Sequence, residues 1–349
     1  MFYLLACLSN LRAGTSLYPS IVVALCILEG LDASRDDDSG GLSTKKAICV
    51  LEQQLGLVSV ILGDITNYDS QVKEALKQLV RKGKSPPEKV ESYVFAGRTE
   101  HQPTLEKLLE VLEFLVLNSN WAVSIKAENL DTLWKIFVLY PNFTSDQTLF
   151  LQFLNKKRQR QVRNYEAGAY SKSHYQEVSL FTPPEQKHLF TQILCNPTFV
   201  DYSKLTTGLS KCFHTYFKLI NREHGFIQQQ RKKIEVTKFE DMIGMDSLWQ
   251  ISIDSENERA RDESRELLVD IHLRLDQSYE QAARRGIMEA FVDRSMQMLL
   301  DTSKEPRSEV TERKSLNVIN VLAEFLDRYE GRKPIKPDYK PAGMHYTHF

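Results

Sequence analysis

The feature that most constrains this chain is a helical spacing of apolar residues that recurs almost from end to end. Ile48, Leu51, Leu55, Val58, Leu62 and Ile65 fall three and four apart, which places them on one face of a helix. Leu105, Leu108, Leu109, Leu112, Leu115 and Val116 repeat the pattern. The same reading gives helices over 43–65, 69–79, 103–117, 130–139, 146–154, 184–194, 205–220, 239–253, 256–275, 279–300 and 308–329. Pro141-Asn142 and Asn196-Pro197 break two of these stretches into helix pairs. No stretch alternates apolar and polar residues long enough to require a strand. The 15 Gly and 12 Pro in 349 residues are also few for an all-β chain. The expected fold class is therefore all-α.

One helix recurs. Leu130-Asp131-Thr132-Leu133-Trp134-Lys135-Ile136 matches Met245-Asp246-Ser247-Leu248-Trp249-Gln250-Ile251, and each copy follows an apolar helix and a loop. In both copies the Asp, at 131 and 246, sits near a helix start, where its carboxylate is expected to cap free N–H groups. Leu133, Trp134, Leu248 and Trp249 are expected on the buried face. Helix pairs of this kind cannot bury their faces singly and must stack, which points to an irregular armadillo/HEAT-like helical-repeat solenoid over 1–330. Possible sub-blocks are 1–82, 103–155 and 184–330, with loops at 32–43, 83–102 and 156–183 and a Pro-containing linker at 331–349. The helix over 256–275 should be capped by Ser255, bury Ala260 and Ser264, and solvate its charge run through pairs four residues apart.

Enzymatic chemistry is hard to find. No phosphate-cradling GxxxxGK[ST] or GxGxxG occurs, and no HExxH or CxxC. Cys7, Cys26, Cys49, Cys195 and Cys212 are odd in number and widely spaced, and read as buried free thiols in a reducing compartment. Cys212 and His214 lie two apart on a helix and point to different sides. The apolar runs 1–8 and 21–28 are too short to span a membrane and read as core helices. Lys+Arg of 45 against Asp+Glu of 46 leaves a net charge of -1, which argues against a nucleic-acid-binding face. Lys156, Lys157, Arg158 and Arg160 form one basic cluster, read as a solvated loop and as a candidate surface for a protein partner. No cofactor, metal or membrane is expected, and the location expected is cytoplasmic.

Three blocks carry a resemblance. They are Gly208–Asn221 (GLSKCFHTYFKLIN), Ile243–Ile251 (IGMDSLWQI) and Arg265–Leu275 (RELLVDIHLRL). In this order and spacing they resemble the long helical region of the giant fat facets-type ubiquitin-specific proteases, with Leu130–Leu154 resembling the preceding portion. The resemblance covers roughly Pro103 to Tyr329, and residues 1–100 fit it loosely. It implies a non-catalytic armadillo-like scaffold of a large thiol-protease deubiquitinase, presenting surfaces to substrates or regulators in the ubiquitin pathway. The alternative is a free-standing armadillo-like adaptor. The family's catalytic Cys motif, a Gly-Asn-Thr-Cys-Tyr-like string, is missing, so no catalytic residue carries over.

Overall fold

The structure, a computed structural model, describes residues 48–49, 52–53, 56–83, 100–119, 123–156, 158–162, 174–178, 180–230 and 233–332. The core helices expected at 1–8 and 21–28, the loop 32–43, the thiols Cys7 and Cys26, most of the loop 83–102, Lys157 and the linker from residue 333 lie outside these residues. The chain divides into two compact units, residues 1–201 with 206–220, and 202–205 with 221–349. The division falls inside the stretch 184–330, which the sequence pattern assigns to one block.

The first unit is built on helices α1 (Leu57–Arg81), α2 (His101–Asn118), α3 (Ala127–Trp134), α4 (Thr144–Asn155), α5 (Pro183–His188) and α6 (Thr207–Glu223, counted here to Ile220). The apolar stripe read as one helix over 43–65 is interrupted at Gly56, whose φ of 60° lies in the left-handed region that glycine adopts without strain. The stripe keeps its period across the break, which is why periodicity alone misses it. Glu52 bridges the break, its Oε2 accepting from Val58 N at 3.0 Å. Beyond it, the two expected helices over 43–65 and 69–79 merge into the single α1. Two helices loosen into π-helical turns, α3 at Lys135–Leu139 and α5 at Leu189–Leu194.

Leu133 and Trp134 are fully buried, and Trp134 meets Phe150 of α4 edge-on, with centroids 6.5 Å apart. Phe137 stacks on Phe150 at 4.9 Å. Trp134 Nε1 donates to the Phe199 carbonyl at 3.1 Å, so the indole is buried without an orphaned donor. A polar stitch joins three helices: the Tyr68 hydroxyl of α1 lies 2.9 Å from His101 Nδ1, and His101 Nε2 donates to Asp146 Oδ1 of α4 at 3.0 Å. Asp146 Oδ2 accepts from Phe143 N at 3.2 Å and so caps its own helix. All three side chains are buried.

A two-stranded antiparallel hairpin, β1 (Arg158–Val162) with β2 (His174–Val178), lies within the segment 156–183 expected to be loop. A second hairpin, β3 (Ile227–Gln230) with β4 (Lys233–Val236), belongs to the second unit. These short polar strands carry no sustained apolar alternation, the signal by which a strand is read from sequence.

The second unit contains α7 (Met245–Asp254), α8 (Glu258–Leu273), α9 (Gln281–Lys304) and α10 (Glu309–Arg332). β4 is tied to the chain after α8, with Val236 N donating to the Arg274 carbonyl at 2.8 Å. Gly244, at φ 85°, starts α7 six residues later than the apolar pattern suggests. Asn257 rather than Ser255 caps α8, its side chain accepting from Ala260 N at 3.2 Å. Ala260 and Ser264 are buried as expected. The charge run of α8 pairs along its own helix, Arg259 to Glu263 at 2.8 Å, and also across to α10, Arg265 to Glu324 at 2.6 Å and Arg328 to Asp270 at 3.2 Å. Leu248 and Trp249 are buried, and Trp249, Phe291 and Phe325 form an aromatic column with centroid steps of 4.9 and 4.1 Å.

The two tryptophans are expected to respond differently to the same change. Trp134→Phe strips a donor from the Phe199 carbonyl, whereas Trp249 makes no such bond among the described residues. Chemical denaturation should show Trp134→Phe costing about 1 kcal/mol more than Trp249→Phe. His272 in α8 is 4% exposed, and burial pushes its imidazole down from 6.5 to about 4, with Arg294 adding to the depression. The unfolded chain therefore binds the extra proton between those values. Stability should fall by roughly 3 kcal/mol as pH drops from about 6.5 to 4, and a His272→Phe variant should lose that slope in pH-dependent melts.

Candidate functional site

A groove of about 790 Å³ runs through the first unit between α2, α4 and the start of α6. Leu109, Leu149, Leu151 and Phe153 line it. Glu106, Glu110 and Glu113 bring acid along the α2 side, and Lys156 and Lys211 bring two cations. Spacings of three and four put these three carboxylates on one helix face. Asn155 fixes the groove's width: its Nδ2 donates to the Leu151 carbonyl at 2.9 Å and to the Gly208 carbonyl at 3.3 Å, fastening α6 to α4. Asn155 Oδ1 is buried without a partner among the described residues. The groove is thus an apolar trough with a charged rim.

The basic cluster stands beside this groove. Lys156 ends α4 and its Nζ pairs with Glu113 at 3.1 Å, so it is a groove residue rather than a free loop cation. Arg158 and Arg160 belong to β1, in register with Val178 and Gln176 of β2. The cluster read as one solvated loop is thus divided between a helix end and a strand.

The paired aspartates do not cap their helices. Asp131 lies in the second turn of α3, where its Oδ1 meets His188 Nε2 at 2.8 Å. Asp246 lies in the first turn of α7, but its carboxylate is turned outward to Arg294 at 2.8 Å. In α3 the helix begins earlier than the repeat motif does, and in α7 the capping position is Gly244; neither places the Asp side chain at the cap. The aspartates tie one helix to another instead. His101 and Glu113 carry no sequence signal, because their partners stand 45 and 43 residues away.

The His101–Asp146 pair has the composition of a catalytic dyad, but both side chains are sealed from solvent and cannot meet a substrate. Cys212 is fully buried and its thiol is pushed up to about 12 by burial, the reverse of the lowered value a thiolate nucleophile needs. Cys49 and Cys195 are partly exposed, contrary to the expectation that all five thiols are buried. Among the described residues, no three His, Cys, Asp or Glu side chains are grouped to hold a metal ion. No helix among them is long and apolar enough to cross a membrane.

Stacked amphipathic helix pairs with buried Leu-Trp faces define an armadillo-type helical-repeat protein. The chain belongs to the UBP24/USP9X/USP9Y ARM repeat family, which matches it over residues 2–221. The match begins well before Pro103 and ends before Tyr329, so it takes in the first hundred residues, which the sequence pattern places only loosely in the resemblance. It covers the first unit and leaves the second Leu-Trp helix outside. No curated protein matches the chain.

Mass-spectrometric mapping after brief treatment with iodoacetamide at pH 8 should find Cys212 unmodified in the folded protein. Full modification of Cys212 should require denaturant, because both its burial and its raised pKa suppress the thiolate.

Proposed function

We propose that this chain is a non-catalytic scaffold region of a ubiquitin-specific protease, and that it holds protein substrates or regulators of that enzyme in the cytoplasm. Membership of the ARM repeat family supports the link to ubiquitin proteases. The observation that carries the binding role is the groove between α2, α4 and α6, with its apolar lining, acidic α2 side and Lys156 and Lys211. The buried state of His101, Asp146 and Cys212 supports the absence of chemistry from the described residues. The partner is a polypeptide that lays apolar side chains on Leu149 and Leu151 and meets the cluster Lys156, Lys157, Arg158 and Arg160 with acidic residues.

Affinity capture from cells, quantified against the unaltered chain, tests this reading. Leu149→Arg, which puts a charge into the trough, and the fourfold change of Lys156, Lys157, Arg158 and Arg160 to Glu should each reduce specific partners by tenfold or more. Circular dichroism should stay unchanged. Retention of every partner by both variants would remove the groove. Ubiquitin carrying a thiol-reactive C-terminus should leave the chain unlabelled, and stoichiometric labelling of any cysteine would contradict the non-catalytic assignment.

A further inference from the structure

The second Leu-Trp helix borders a cavity. It measures about 230 Å³ and lies within the second unit, among α7, α8, α9 and the turns before α7. Phe239, Met242, Trp249, His272, Phe291 and Arg294 are its main lining residues. The His272 ring packs edge-on against Phe239 at 4.8 Å and against Phe291 at 4.6 Å. The Arg294 guanidinium lies over the Trp249 ring, 5.0 Å from its centroid, and is balanced by Asp246 at 2.8 Å. The volume is below that of a drug-sized site and suits one aromatic side chain.

Two polar groups in this aromatic setting are unspent. His272 Nδ1 lies 2.8 Å from the Leu268 carbonyl. A carbonyl only accepts, so Nδ1 carries the proton. The ring is neutral at physiological pH, which leaves Nε2 as a lone-pair acceptor with no partner among the described residues. Trp249 Nε1–H also makes no hydrogen bond among them, whereas Trp134 Nε1–H is satisfied by Phe199. Both residues are more than nine-tenths buried. Neither ring nitrogen is closed off from solvent, so each is open to a ligand, and one that satisfies both replaces water in an aromatic setting.

We propose that this cavity receives a tyrosine side chain of a partner polypeptide, with the phenol ring among Phe239, Trp249 and Phe291 and its hydroxyl between His272 Nε2 and Trp249 Nε1. A phenol hydroxyl donates and accepts at one atom on a rigid apolar body. Phenylalanine lacks the hydroxyl, an indole only donates, and serine or threonine lacks the apolar body. The site is separate from the groove of the first unit, and either can fail without the other.

The probe is 4-methylphenol, with toluene as its counterpart lacking the hydroxyl. The full chain has three tryptophans, so its indole N–H region should hold three NMR signals, and Trp249→Phe identifies the one concerned. 4-Methylphenol should shift that signal saturably, and toluene should bind roughly tenfold more weakly. His272→Phe should abolish the difference between the two. Ala290 lines the cavity yet is exposed, so Ala290→Leu should block both probes while the other two indole signals keep their positions. This second variant keeps the test decisive if His272→Phe fails to fold. Absence of a saturable shift in the native chain, equal binding of the two probes, or unchanged binding to Ala290→Leu would each overturn the proposal.

Discussion

None of the described helices can keep its apolar face from water alone, and the described structure follows from that constraint. The faces are too wide for an isolated helix and too regular for a loop to cover, so each helix must be covered by another. The buried Leu133-Trp134 and Leu248-Trp249 pairs supply the largest apolar surfaces at these junctions. Burial of an aromatic side chain contributes about 2–3 kcal/mol, more than any single ion pair between α8 and α10 adds once side-chain entropy and screening are counted. Those ion pairs therefore select which helix faces meet, and the aromatic columns hold them together.

Polar groups within this apolar frame do a second job. Tyr68, His101 and Asp146 draw α1, α2 and α4 to one point, and Asn142 reaches back to Asp69 at 2.8 Å so that the turn after Pro141 is also held to α1. Helix faces made mainly of Leu and Val can slide by a turn at small cost, whereas a buried imidazole between a phenol and a carboxylate fits one register only. The same logic holds at Asn155, which sets how closely α6 approaches α4 and so gives the groove its width. Scaffold and candidate binding surface are thus products of one set of contacts.

Much of this is legible in the sequence, and the rest is hidden for physical reasons. The stripe through Leu105, Leu108 and Leu112 fixes a helix and its buried face, and Ala260 with Ser264 announces a close helix approach, because both signals are local. Gly56 breaks a stripe that stays in phase across the break, so a period cannot reveal it. Asn257 wins the cap over Ser255 by a two-residue shift in helix start, a margin that propensity does not resolve. The basic cluster is visible, but its division between a helix end and a strand depends on the pairing of Arg158 with Val178. The groove and the aromatic cavity leave no mark in the sequence at all. Glu113 and Lys156, or Trp249, His272 and Arg294, come together only through the packing of separate helices, and no spacing rule links them.

The proposed role of this chain is that of a non-catalytic part of a large ubiquitin-specific protease. The most direct measurement is the size of the native polypeptide in its own cells, by immunoblot with an antibody raised against residues 103–332. The proposed role predicts a band several times 40.3 kDa that also reacts with a ubiquitin-based thiol probe, through a cysteine outside these 349 residues. A single band near 40.3 kDa, unreactive toward the probe, would contradict it and leave a free-standing helical-repeat adaptor in its place.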